Sequence, residues 1–251
     1  MLNKYFFKIL PYSSRLLKDI PGSAYAAVQA TKASLLGSMK NKFIEEEIGK
    51  LPKGSKGTVR VARQSAQIFK DTGKCDQTGE FTIFGQLFQA SKRKDSHKEG
   101  FRMNGTDAQA WEVLLAGEGS MDVGGPFREA LTNVAEELQS DCLPLLIKTA
   151  NNRNDHGSNR ECWTLDPAAT TPTHQEMFTY FGYILGFAIR TKSPLDFRLP
   201  SLFWKQLLGE QPTMADFNGI DAYSCQVLSE MKTNGDTNPP EYFDAAVDET
   251  F

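Results

Sequence analysis

Nucleophilic or metal chemistry in this chain would have to come from four cysteines and three histidines, and their spacing supports neither. Cys75, Cys142, Cys162 and Cys225 lie far apart with no Cys-x-x-Cys pair, and His97, His156 and His174 are equally scattered. Structural zinc sites draw on clustered ligands, so no metal or other cofactor is expected. A disulfide framework is not indicated either, because a chain of 251 residues can bury a core without staples. A reducing, intracellular compartment is the expectation. Cys142 follows Glu136, Glu137 and Asp141 at the negative end of an expected helix, which disfavours a thiolate. Cys225 is expected to pack inside an amphipathic helix, and Cys162 to lie on a strand beside Arg160 and Glu161. No catalytic residue is expected among them. A serine hydrolase is unsupported as well, since there is no Gly-x-Ser-x-Gly elbow and no acid at recognisable spacing from a histidine.

The densest motif is the run Gly117-Glu118-Gly119-Ser120-Met121-Asp122-Val123-Gly124-Gly125, set between an apolar strand and a helix. Nucleotide-binding folds put their phosphate loop in that position. A dinucleotide fingerprint would need glycine where Asp122 stands, and a Walker loop would end in Gly-Lys-Ser/Thr, whereas Gly125 is followed by Pro126 and Phe127. Glu118 and Asp122 would repel a phosphate, and Pro126 removes an N–H donor. The structural reading fits better. Glycines permit positive φ, Asp122 can accept from amides ahead of the helix, and Arg128 can reach back to an acidic partner.

The elements around this run are mostly helices. Residues 22–50 read as one helix, 53–57 as a polar loop, 58–69 as a short strand followed by a turn, and 70–80 as an exposed loop. Residues 81–91 read as a helix with Phe84, Leu87 and Phe88 on one face. The basic run Lys92–Glu99 contains an Asp and a Glu and reads as a solvated loop rather than a nucleic-acid patch. Trp111–Ala116 is the apolar strand. Pro126–Gln139 is the helix after the glycines, with Phe127, Leu131, Val134 and Leu138 as its buried stripe and Glu129, Glu136 and Glu137 mainly opposite. Strands are expected at 143–149 and 162–165, with a polar loop between them. Residues 173–191 form the clearest helix, with Thr173 and Glu176 as a capping box. In that helix Gly182 and Gly186 are placed to let a neighbouring backbone approach. Two more amphipathic helices are expected at 201–208 and 221–232. The fold class is therefore α+β, mainly helical, with short strands. Seventeen Phe should carry much of its packing.

A net charge of −3 gives no general attraction to nucleic acid. No stretch approaches the roughly 20 apolar residues of a membrane span. Residues 1–18 carry Lys4, Lys8, Arg15 and Lys18 without an acid, but Pro11 interrupts an amphipathic presequence helix, so ordinary structure or linker is expected there.

The run Gly117-Glu118-Gly119-Ser120-Met121-Asp122-Val123-Gly124-Gly125-Pro126-Phe127-Arg128-Glu129 resembles the signature near the start of HECT domains. There an apolar strand leads into Gly-Glu and then Asp-x-Gly-Gly-x-x-Arg-Glu. The pieces that follow keep the family's order. Phe178-x-x-Phe181-Gly182-x-x-x-Gly186 resembles its central helix, Leu195–Leu208 the next segment, Pro212-Thr213-Met214-x-Asp216 the turn beyond, and Asp221–Lys232 the helix after that. The match spans roughly 101–232, with a weaker one reaching back to Arg63 and Phe84. The upstream helix is similar to that of the giant, HERC-like subfamily.

What the resemblance implies is the large subdomain of a HECT N-terminal lobe. Residues 1–100 would be its helical and loop extension, and 101–251 the lobe core, incomplete at its C-terminal end. HECT ligases take ubiquitin from a conjugating enzyme as a cysteine thioester and pass it to a substrate lysine. The implied partners are thus a conjugating enzyme, ubiquitin and protein substrates, in the cytoplasm or, alternatively, the nucleus. Gly117, Glu118, Gly119, Asp122, Gly124, Gly125, Arg128 and Glu129 would be structural signature residues. The family's cysteine lies in a Thr-Cys-Phe context, whereas the cysteines here read Lys-Cys-Asp, Asp-Cys-Leu, Glu-Cys-Trp and Ser-Cys-Gln. The chain alone is therefore expected to be inactive. A binding or competitor protein built on the lobe, and an unrelated helical adaptor, are the alternatives.

Overall fold

Val59 and Val61 alternate with Thr58 and Arg60, and that period of two puts the valines inward and the other pair in solvent. In the computed structural model, which describes residues 19–31, 34, 37–49, 57–93, 109, 111–117, 125–191 and 193–237, this segment is strand β1 (Gly57–Val61). It pairs in parallel with β2 (Trp111–Leu115), from Gly57↔Trp111 to Val61↔Leu115. A parallel pair needs a long crossover. Helices α3 (Arg63–Asp71) and α4 (Ile83–Arg93) lie within it. Two further helices, α1 (Ala24–Thr31) and α2 (Gly37–Gly49), precede β1.

After β2, helix α5 (Gly125–Leu138) buries Phe127, Leu131, Val134 and Leu138, the stripe its 3.6-residue period predicts. Then come β3 (Leu146–Lys148), the short helix α6 (Ala150–Arg153) and β4 (Trp163–Leu165), with β3 and β4 antiparallel. Helix α7 (Pro172–Thr191) buries Met177, Tyr180, Phe181, Ile184 and Phe187. Helices α8 (Ser201–Leu208), α9 (Met214–Asn218) and α10 (Ala222–Thr237) complete the described chain.

Aromatic rings join these elements into one core. Trp111 of β2 meets Phe127 of α5 edge-on at 5.2 Å, and Phe127 meets Phe187 of α7 at 5.6 Å. Phe84 of α4 meets Tyr180 of α7 at 5.5 Å. Each such pair adds about 0.5–1.5 kcal/mol to the burial of its rings. Val59 and Phe84 share this core with Trp111 and Phe127. No helix of the described residues is long and apolar enough to cross a membrane.

Several local expectations are corrected. The helix expected over 22–50 is described as two, α1 and α2. The turn expected after β1 is helix α3, whose Ile68 is exposed, whose Phe69 is half-buried against Phe81 and whose one buried residue is Ala66. The polar loop after β3 contains α6. Helix α7 begins at Pro172 and is capped by Thr171, whose Oγ1 accepts the His174 N–H at 3.2 Å. Glu176 instead pairs with Lys92 of α4 at 2.5 Å. Gly182 and Gly186 face open space. The close backbone approach occurs elsewhere, where a Cβ on Gly85 would lie 2.5 Å from the Gly79 carbonyl carbon.

Candidate functional site

Of the signature residues, the structure places four. Gly117 follows β2 with φ +85, the left-handed conformation that favours glycine. Gly125 opens α5, and Arg128 and Glu129 sit in its first turns. Glu118, Gly119, Asp122 and Gly124 lie outside the described residues, as does most of the basic run after Arg93. Glu129 forms an ion pair with Arg63 of α3 at 2.5 Å. This ties the start of α5 to the segment after β1. Both side chains are over 40% exposed, so the pair itself is worth only a few tenths of a kcal/mol, up to about 1.

The most concentrated polar chemistry lies one helix away, and the sequence reading had put it in solvent. Glu137 of α5 is buried at 1% exposure, not on the wet face with Glu136. Its carboxylate accepts N–H bonds from Ile83 at 3.0 Å and Phe84 at 2.8 Å, and Lys70 of α3 lies 3.1 Å away. The first amides of α4 would otherwise be orphaned in the core. Thr82 Oγ1 accepts the next one, from Gly85, at 3.0 Å. Burial pushes the Glu137 carboxyl above its ordinary value, with the two amides and Lys70 pulling it back.

Asp76, also buried, organises the loop before α4. Its Oδ1 accepts from Glu80 N–H, and its Oδ2 from the N–H of Phe81 and the N–H and hydroxyl of Thr82, all at 2.9–3.0 Å. The loop expected to be exposed thus has a buried carboxylate at its centre. Gly79, at φ +65, packs under Gly85 within it.

A second hub lies at α9. Asp216 accepts from Lys205 Nζ at 2.6 Å, Thr213 Oγ1 at 2.6 Å, Thr213 N–H at 2.8 Å and Ser201 Oγ at 2.8 Å. With the Thr213 side chain accepting the Asp216 N–H, this is a capping box. Lys205 first, then the Thr213 and Ser201 bonds, hold the carboxyl well below the usual range. Nearby, buried Asn151 donates to Ser158 O and Asn218 O and accepts the Ala222 N–H at 2.7 Å, joining α6, α9 and α10.

Neither hub is arranged for acyl transfer. Burial is the largest cause raising the Cys75, Cys142 and Cys162 thiols; at Cys142 Glu137 adds to it, and at Cys162 Glu161 does. Cys142 Sγ rests against Ser140 Oγ at 3.0 Å and Glu137 O at 3.6 Å. Cys225, expected to be packed, is only partly covered and lies 3.9 Å from Met214 O. Among the described residues no group of three or more His, Cys, Asp or Glu converges as metal ligands would.

The exposed surface of α7–α10 is different in kind. Ile189, Leu207, Leu208, Met214, Tyr223 and Leu228 are each more than half exposed on α7–α10. An open cavity of about 320 Å³ between α7 and α8 is lined by Leu185, Ile189, Leu195, Phe197 and Trp204. Surface of this type marks places where protein meets protein.

Residues 132–248 match the family described as HECT-domain (ubiquitin-transferase). Over 113 residues the chain is 45% identical to E3 ubiquitin-protein ligase HERC2 of Homo sapiens, covering 45% of this chain and 2% of that protein. Against the Mus musculus protein of the same name it is 41% identical over 149 residues, or 59% of this chain and 3% of the relative. Probable E3 ubiquitin-protein ligase HECTD4 of Homo sapiens is 33% identical over 106 residues, 42% of this chain and 3% of its own length. The chain therefore spans 2 to 3% of the length of these relatives.

Proposed function

We propose that this chain, whose residues 132–248 match the HECT-domain family and which is 41–45% identical to HERC2 proteins over the aligned stretches, is the scaffold portion of a HECT-type ubiquitin-protein ligase of the HERC-like branch. In this reading it positions partners and does not itself carry ubiquitin. The transfer in such a ligase moves an acyl group twice. A ligase thiolate attacks the conjugating-enzyme thioester, releasing that enzyme's thiol, and a substrate lysine amine then attacks the new thioester to leave an amide. Both steps need a thiolate at the right place. The observation that carries the scaffold reading is the state of the cysteines. None has the family's Thr-Cys-Phe setting, and burial pushes the Cys75, Cys142 and Cys162 thiols up from their ordinary value.

The proposed partners in the whole ligase are a ubiquitin-conjugating enzyme, ubiquitin and protein substrates, with no nucleic acid, and the proposed location is the cytoplasm. The exposed apolar side chains of α7–α10 support the reading, because they offer a face for further protein of the same assembly. The signature residues Gly117, Gly125, Arg128 and Glu129 are assigned a structural part: they set the strand-to-helix connection against α3 through Arg63–Glu129.

Two assays test this. The chain alone, incubated with a conjugating enzyme charged with ubiquitin, is expected to give no reducible ubiquitin adduct; an adduct lost on adding thiol would identify a missed nucleophile. Residues 101–237 exchanged into the matching stretch of human HERC2 are expected to preserve the adduct of that ligase. A folded exchange protein that forms none would sink the scaffold assignment.

A further inference from the structure

Among the described residues one edge of β1 pairs with no strand, and the ladder shows which backbone groups that edge offers. Ala116 donates its N–H to Val61 O at 2.8 Å, extending the parallel register. A strand residue that bonds to its neighbour directs both N–H and C=O towards it, and the next residue directs both the other way. Val61, Val59 and Gly57 therefore face β2, and Thr58 and Arg60 face the opposite edge. No strand of the described residues lies there. At one end a side chain closes the edge. Ala62, in phase with Thr58 and Arg60, donates its N–H to Gln86 Oε1 at 2.7 Å and accepts from Gln86 Nε2 at 3.3 Å. That primary amide does at Ala62 what the peptide unit of an adjoining strand would do.

In front of the remaining edge is an open cavity of about 690 Å³ between β1 and α4, lined by Thr58, Arg60, Phe81, Gln89 and Arg93, with Glu80 at its border. Two arginines thus oppose one acid, and neither arginine is paired with a described acidic residue. Phe81 is half exposed beside them and stacks on Phe69 at 4.8 Å.

We propose that the open edge of β1 docks an extended, acidic peptide segment of another protein as an added strand. The Thr58 and Arg60 backbone groups would supply the ladder bonds, and Gln86 would set where the strand ends. Alternate side chains of the peptide would lie on the solvent face with Thr58 and Arg60, which favours acids at those positions. The intervening ones would meet Phe81 and Ala90, which favours apolar residues. Strand addition gives affinity through the main chain, and the two arginines give the preference for acid. This site is independent of the ligase assignment.

The probe is a labelled, capped hexapeptide of alternating Glu and Val, followed by fluorescence anisotropy on the full chain. Its Lys-Val counterpart is the control. The acidic peptide is expected to bind at least tenfold more tightly, and Arg60→Glu with Arg93→Glu to reverse that order. Thr58→Pro removes an edge N–H that takes no part in the β2 ladder, and should weaken binding at least tenfold with the fold intact by circular dichroism. Should that variant misfold, amide exchange on the unaltered chain decides: the Thr58 and Arg60 amides should exchange freely and become protected when the peptide is added. Protection before any peptide is present would mean the edge is already filled, and the proposal fails. Equal binding of both peptides, or binding indifferent to the arginine reversal, overturns it as well.

Discussion

The surroundings of Glu137 and of Asp216 use the same parts to opposite electrostatic effect. Each carboxylate is almost inaccessible, each accepts backbone N–H near the start of a helix, and each has one lysine within 3.1 Å. Yet the Glu137 carboxyl is raised and that of Asp216 is lowered. Glu137 lies inside the junction of α3, α4 and α5, where the cost of removing charge from water exceeds what two amides and Lys70 return. Asp216 lies in the first turn of α9, where Lys205, two hydroxyls and an amide all favour the anion and desolvation comes last. The balance between desolvation and the partners that favour the anion decides the sign.

Glu137→Ala is the variant with the largest expected effect, about 3 kcal/mol, because it leaves the Ile83 and Phe84 amides without acceptors and Lys70 without its partner. A urea midpoint that falls with unchanged slope would bear this out, and a midpoint within error of the parent would place Glu137 on the surface after all. The pH dependence separates the two hubs further. For Glu137 the folded value is raised, so its contribution is fully present below the ordinary value of 4.5 and is lost as pH rises through the raised one. Asp216 runs the other way. Its contribution is present above the ordinary 3.8 and disappears as pH falls towards the lowered value. Stability profiles of Glu137→Gln and Asp216→Asn, each subtracted from the parent, should therefore slope in opposite directions across the acid range. Parallel slopes would remove the contrast.

Gly85→Ala should cost about 1–3 kcal/mol, since the added methyl meets the Gly79 backbone and not a movable side chain. Thermal melts read this directly, and the same change at Gly182 or Gly186, both in open space, should be neutral or slightly stabilising. Thr171→Ala removes the cap of α7 and should cost about 1 kcal/mol; an equal loss from Thr173→Ala would return the cap to that residue. The smallest change in stability, within about 0.5 kcal/mol, is expected for Leu207→Lys and Leu208→Lys on the exposed face. A larger loss would mean that these two leucines pack within the fold.

How far the sequence led is clearest along α5. Phe127, Leu131, Val134 and Leu138 were readable as a buried stripe because four apolar residues at helical spacing have few other places to go. Glu137 was not, since on a helical wheel it reads as a wet-face acid, and only the arrival of the α4 N-terminus makes it a cap. Asp216 had a local signal in Thr213-x-x-Asp216, the capping-box spacing. Asp76 had none, because its partners are the amides of a loop whose path is set by Gly79 packing under Gly85. The parallel pairing of β1 and β2 is likewise a long-range fact, with some fifty residues between the strands.

By itself, then, the sequence determined the helices with strong periodicity, the short strand segments, the absence of a Thr-Cys-Phe setting at every cysteine, and a resemblance that rests on the order of motifs. Those features depend on spacing within one element or on the order of motifs. Tertiary structure alone decided which acids are buried, which thiols are shielded, and which edge of β1 meets the described strand β2. Each of these depends on what a distant segment brings alongside, and water is excluded only when that segment arrives.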